Sequence, residues 1–402
     1  GQPVIGILGA VYAAIAPSPI VWAFFQSLIY GVAGGLMALV LFKLPVSPNL
    51  PSVALVVALF LPTAAMIYVL PHNDVFVFIG YALFVAGWSE IADAMRIHVT
   101  GSKQSFRLLL GVLGALAGTA IAWVFREFTS DMFAAIGILL WLMVCGLGFH
   151  RVRVERSSWR RVVMPPVAGA VVLVVTLSGF EETTFTLAKG NTDPAFTEPL
   201  MVPVSKAAPS GQTLEGVEQN SGAHEKSWQW QASGWLPQFV DGRLRQLSRA
   251  RERVIGLEGH ARSSVDTDIH FESAEDVVRY IPRAWQLSTL SPFPDQWLPH
   301  PEAPFARNVQ RVLAGAEMLL FYALLPGVFF AIWHWRRSPA LWSLLIPAGV
   351  WLTVYGLAVP VIGSVVRFRF PAFVTLIALG LLGAMAAAIA WRQRRRRPVC
   401  AA

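Results

Sequence analysis

The chain has 402 residues, of which 55% are hydrophobic and only 14% charged, with a mean hydropathy of +0.54. A soluble domain carries about 25% charged residues, so the composition excludes an ordinary water-soluble globular protein. The net charge of +8 does not indicate a nucleic-acid partner. Residues 180–311 hold 13 basic and 17 acidic residues, and the remaining, apolar part holds 19 and 7, so the excess of positive charge sits beside apolar runs.

Those runs are each near the length needed to cross about 30 Å of hydrocarbon, and about ten are expected. In chain order they cover roughly 3–17, 20–43, 51–70, 75–95, 106–125, 132–149, 162–179, 312–334, 340–362 and 371–391. The expected class is an all-α polytopic membrane protein with one small periplasmic, α-rich insertion. It divides into an N-terminal bundle (1–179), an outer segment (180–311), three C-terminal spans (312–391) and a basic tail (392–402). The first run begins Gly1-Gln-Pro, without Met or a basic leader, and an upstream segment is expected.

Basic residues in the short connections orient the chain. Lys43, the stretch Arg96 to Arg107, Arg151 to Arg161, Arg336-Arg337 and Arg392 to Arg397 all fall on one side when ten spans alternate. The positive-inside rule makes that side cytoplasmic, with both termini on it. Trp88, Trp123, Trp141, Trp333, Trp335 and Trp391 lie near span ends, where an aromatic belt is expected. Gly34-Gly35 and the glycines from Gly111 to Gly118 are read as close helix contacts.

Within the outer segment, about 181–226 is rich in Pro, Ser, Thr, Gly and Glu and reads as irregular. Apolar residues from Gln238 to Leu257 recur at helical spacing. Ser273-Ala-Glu-Asp276 is a helix start, with Pro282 expected to kink or end the helix early. Pro292 to Trp297 reads as a loop on the membrane surface. With only Cys145 and Cys400, no disulfide framework is expected, and His260 and His270 are too isolated to suggest a metal.

No Walker loop, GxGxxG, HExxH or CxxC is present. What stands out is charge at the outer ends of the spans, where ionisable groups are costly and want a reason. Asp74 ends the short loop Pro71-His-Asn-Asp74 between spans three and four, Arg126 and Glu127 close span five, and Asp131 opens span six. Glu317 lies about two turns into span eight, and Arg367 and Arg369 precede Pro371 at the start of span ten. Together they suggest a pocket for an anionic lipid head group, because the planar guanidinium fork matches phosphate. Arg367 and Arg369 share a face only if their segment is extended, which the X-Pro bond at Phe370-Pro371 favours. A carboxylate there could take a proton from an acceptor hydroxyl or hold a divalent metal, Mg or Mn. Towards the cytoplasmic end of span four, Asp93 is expected to pair with Arg96 and Glu90 to make a buried structural hydrogen bond.

Arg367-Phe-Arg-Phe-Pro371 before a long apolar helix resembles the Arg-Tyr-Arg-x-Pro element of bacterial GT-C-type membrane glycosyltransferases. Pro62-Thr through Pro71-His-Asn-Asp74 and the turn Phe125-Arg126-Glu127-Phe128 are similar to two of their outer loops. Val265-Asp-Thr-Asp, Tyr280-Ile-Pro and Ser291-Pro-Phe-Pro resemble polytopic proteins of surface-polysaccharide biosynthesis. The resemblance implies transfer of a sugar from a polyprenyl-phosphate carrier on the outer face. Asp74 and Glu317 would then be the catalytic acids, and Arg126, Glu127, Arg367 and Arg369 the substrate contacts. Membrane lipid, the lipid-linked sugar and other polysaccharide-assembly proteins are the implied partners, with no nucleic acid. The family places its base in the first outer loop, whereas Pro17 to Pro19 here contains no acid. A polysaccharide polymerase or ligase, and a non-catalytic scaffold or transporter, remain alternatives at this point.

Overall fold

The computed structural model describes residues 2–15, 18–61, 74–95, 102–126, 129–155, 159–179, 229–258, 263–301 and 304–396. Among them no strand forms, and the chain is an all-α polytopic membrane protein. The N-terminal helices are α1 (Gln2–Ala14), α2 (Pro19–Leu41), α3 (Asn49–Leu59), α4 (Asp74–Asp93), α5 (Ser102–Phe125), α6 (Thr129–Glu155) and α7 (Trp159–Gly179). The segment 180–311 supplies α8 (Gln238–Glu258) and α9 (Ala274–Leu290). The C-terminal part supplies α10 (Phe305–Trp335), α11 (Pro339–Ala358), α12 (Ile362–Phe368) and α13 (Phe370–Arg396). Seven helices, α2, α4, α5, α6, α10, α11 and α13, are long and apolar enough to cross a membrane. The other three expected spans begin on helices α1, α3 and α7; α3 ends at Leu59, and residues 62–70 of its expected span lie outside the described residues.

Helix α4 is the centre of the bundle. Its Tyr81, Phe84 and Trp88 are fully buried; Tyr81 meets the Trp351 ring of α11 and Phe84 the Phe133 ring of α6. Lipid tails are as apolar as a leucine side chain, so close backbone approach rather than apolar burial holds such helices together. A Cβ at Gly87 would stand 2.4 Å from the Ala115 amide of α5, and one at Gly118 2.5 Å from the Gly80 carbonyl. The expected packing role of Gly111 to Gly118 is therefore met on α4. Gly34 meets Leu59, while Gly35 faces open space. Trp88 and Trp335 are core residues, 0% and 2% exposed, and not part of an aromatic belt; Trp333 and Trp391 are exposed as a belt requires. Trp88 joins the core because Gly137 and Gly169 leave room for its ring between α6 and α7.

The contacts sort the helix ends into two groups. At one end Lys43 forms an ion pair with Glu90 at 2.7 Å and a hydrogen bond with Ser89, and Arg107 pairs with Asp93 at 3.5 Å. Asp93 thus uses Arg107; its expected partner Arg96 lies outside the described residues. Arg336 and Arg337 gather there with His150. The start of α4, the ends of α5 and α11, and the α12–α13 junction meet at the opposite end.

Helices α8 and α9 pack onto the end of α11 and onto α12. Ser273 and Asp276 form the expected capping box of α9. The helix then runs through Pro282 to Leu290 without ending early, although proline removes one internal hydrogen bond. Packing compensates: Ala284 lies so close to Gly356 that a Cβ there would stand 2.2 Å from its carbonyl, and Trp285 donates to Thr353 Oγ1 at 2.7 Å. The loop after α9 is not a bare surface loop. Trp297 rests on Gly315 of α10, and Tyr322 donates to the Leu290 carbonyl at 2.6 Å.

Arg251 of α8 ties this region together. It is fully buried and donates to the carbonyls of Ile269, Asp266 and Leu357 at 3.2, 2.7 and 3.0 Å. Its guanidinium lies 4.9 Å from both the Phe271 and the Tyr280 ring centres. Asp266 receives Arg283 and Tyr280. Burial pushes the Asp266 carboxyl up, but the Arg283 and Tyr280 hydrogen bonds and the positive charges around it outweigh burial and hold it below the usual carboxylate range. Burial first, and then the hydrogen bond to Asp266, push the Tyr280 phenol up to about 12.

Candidate functional site

Asp74 is the first residue of α4, a position that favours a carboxylate near the helix's positive end. It is 8% exposed. Its Oδ1 accepts a short hydrogen bond from Arg126 Nη2, and its Oδ2 lies 3.1 Å from Arg367 Nε. The second contact is an ion pair by distance, without the alignment of a hydrogen bond. Arg126 follows α5 directly and its backbone is held at both sides, by Ala122 and by the Thr129 hydroxyl. Arg126 Nη1 donates to the Tyr355 hydroxyl at 3.0 Å. The Phe368 ring carries both guanidiniums, Arg126 at 3.9 Å and Arg367 at 4.6 Å, and its carbonyl accepts from Trp351 Nε1.

Four distant parts of the chain therefore meet at one point. Two guanidiniums face one carboxylate, which leaves one positive charge in excess among the described residues. The Asp74 and Arg126 side chains are 9% and 12% exposed, whereas Arg367 is 38% exposed. The excess charge therefore reaches the surface through Arg367. Such a site can receive an anion with directed donors, and a phosphate is the best match in shape.

Arg369 does not share this site. The segment from Arg367 to Pro371 is helical and not extended. Arg369 has φ −72° and ψ −11°, and α13 begins one residue later. Pro371 sits in the first turn of α13, where a missing N–H leaves nothing unsatisfied, so the extended bias on the residue before proline is overridden. A two-residue step on a helix sends side chains to different sides. Arg369 accordingly turns inward, 2% exposed. It donates to the carbonyls of Ser288 and Thr289 at 3.0 and 3.5 Å and lies 3.2 Å from Met318 Sδ. Glu317, 4% exposed, interacts with it through charge and also with Tyr30 of α2.

Asp131 belongs to neither group. It forms an ion pair with Arg243 of α8, and both side chains are well exposed. Glu127 and residues 62–73 lie outside the described residues. The described residues do not fit a Mg or Mn centre. Asp74 is the carboxylate of the cluster and turns both oxygens to arginines, and no group of three or more His, Cys, Asp or Glu residues converges among the described residues.

Two members of the cluster carry no mark of their own in the sequence, Tyr355 and Phe368. Tyr355 follows Trp351 by one helical turn near the end of an apolar run, a place where a phenol tip is useful only if a polar partner waits there. No family model, curated protein or solved structure matches the chain.

Proposed function

We propose that this chain is a glycosyltransferase-like membrane protein of surface-polysaccharide assembly that receives the phosphate of a polyprenyl-linked sugar at the outer face of a bacterial inner membrane. In this reading the basic end of the bundle is cytoplasmic, with both termini on it, as the positive-inside rule assigns. The supporting observation is the arrangement of Arg126 and Arg367 around Asp74, with a positive charge that no carboxylate among the described residues offsets opening at Arg367. A leaving phosphate needs such charge, held in place beforehand.

Residue roles follow from the contacts. Arg367 meets the phosphate. Asp74 holds Arg126 and Arg367 at their separation, and Tyr355 and Phe368 hold Arg126. Both oxygens of Asp74 face cations, which suits it to positioning and not to proton abstraction. That observation also favours a second reading, a lipid-carrier-binding partner protein that does not itself catalyse transfer.

The test is binding and output together. The Arg367→Ala protein should fold normally and bind a short-chain polyprenyl phosphate at least about tenfold more weakly, the loss expected for one charge-assisted contact. Surface glycan in a complemented deletion strain should fall in parallel. Unchanged binding and glycan at normal protein level would overturn the proposal. Weakened binding with unchanged transfer in purified membranes would select the non-catalytic reading.

A further inference from the structure

At the basic end of the bundle, α6, α10 and the start of α11 line two adjoining cavities, both broadly open to the surroundings. One, about 360 Å³, is lined by His150, Arg336, Arg337 and Trp342 together with apolar residues of α6. The other, about 720 Å³, is lined by Phe329, Phe330, Trp333 and further residues of α10, and it shares Arg336 and Trp342 with the first. No lining residue of either cavity is acidic. Neither Arg336 nor Arg337 forms an ion pair with a carboxylate among the described residues, and both are exposed.

The arrangement has the shape of an amphiphile. An aromatic trough on the lipid-facing side of α10, with Phe329 and Trp333 about 70% exposed, leads into a cationic chamber at the span end. The two are joined at Arg336, whose guanidinium lies 4.8 Å from the Trp333 ring centre, and at Trp342, whose indole is fixed by the Arg336 carbonyl at 2.7 Å. Orientation bias explains why arginines lie at this end. It does not explain a chamber in which two of them and a histidine converge at the head of an apolar trough.

We infer that this pair of cavities is a binding site for an anionic phospholipid, with acyl chain along Phe329, Phe330 and Trp333 and phosphate among Arg336, Arg337 and His150. Charge complementarity selects an acidic head group, since a zwitterionic lipid brings its own cation into a chamber that offers it no carboxylate. The site lies at the opposite end of the bundle from Arg367 and stands apart from the reading of the outer cluster.

The purified full chain in mild detergent is incubated with dioleoyl phosphatidylglycerol or dioleoyl phosphatidylcholine, and bound lipid is counted by native mass spectrometry. Phosphatidylglycerol should be retained in preference. Arg337→Gln should lower its occupancy about fivefold and the Arg336→Gln/Arg337→Gln double variant roughly thirtyfold, each charge contributing as it does at an anionic membrane surface. Trp333→Ala should lower retention with no change of charge, while Arg395→Gln in the tail should leave it unchanged. Melting temperatures near wild type are expected, because both arginines are exposed. Equal retention of the two lipids, loss in the Arg395→Gln protein matching that in Arg337→Gln, or full retention in a folded double variant would overturn the site.

Discussion

Arg367 and Arg369 are two residues apart, yet they live in different surroundings. Arg367 is over one-third exposed and stands across from an aspartate already engaged by Arg126. Arg369 is buried; its Nη1 and Nη2 reach backbone carbonyls and a thioether, and Glu317 interacts with it through charge. A buried guanidinium that holds the end of α9 against α10 and α13 is part of the scaffold. One that surfaces beside a partly neutralised cluster is available to a ligand. A pair of neighbouring arginines therefore need not share one role, and the helical turn between them separates the two.

The comparison can be broken at several points. The largest effect is expected from Arg369→Ala, which leaves two buried carbonyls short of a donor and should cost roughly 2–4 kcal/mol, seen as a marked fall in melting temperature. Asp74→Asn comes next. It leaves Arg126 and Arg367 facing each other without a counter-charge, and a loss of about 2 kcal/mol is expected. The same variant should bind a polyprenyl phosphate more weakly than wild type, because the two guanidiniums lose the carboxylate that fixes their separation; unchanged or tighter binding in titration would show that Asp74 does not position them. Arg367→Ala is the sharpest contrast. Its melting temperature should move little, by the equivalent of about 0.5 kcal/mol, since a partly exposed ion pair contributes little to stability. If Arg367→Ala destabilised the protein as much as Arg369→Ala, the distinction would be lost.

The smallest effect concerns pH at the α8–α9 region. Asp266 is held below its ordinary value, so its contribution is fully present above the unfolded pKa of about 3.9 and is lost as pH falls through the lower folded value. Limited proteolysis of the α8–α9 region should accelerate only on strong acidification, and Asp266→Asn should remove that dependence while raising cleavage at neutral pH.

Much of the fold was legible because its signals are local. Apolar length marked the spans, Ser273 and Asp276 marked the start of α9, and small residues marked the contact of α5 with α4. The convergence of Asp74, Arg126 and Arg367 was legible too, since span counting places them at one depth. Arg251 was not. An arginine on a helix rich in polar residues reads as solvated, and its partners are carbonyls, which every residue possesses and which leave no trace in a sequence. Arg369 was placed in the wrong company for a related reason. The local bias from Pro371 was weighed as a backbone preference, while the long helix that starts there decides the geometry. Tyr355 and Phe368 matter through what lies across the bundle, and one sequence does not reveal that.

The grip of Arg251 on the Leu357 carbonyl bears on how the protein is made. Residues 229–301 leave the ribosome before α11, yet the apolar group formed by Phe271, Val277, Tyr280, Ala284 and Leu287 includes Leu357. The α8–α9 region cannot finish its own core when it is synthesised. It must wait, exposed, until α11 has been inserted and brings Leu357 alongside, so its completion reports that the C-terminal helices have been threaded correctly.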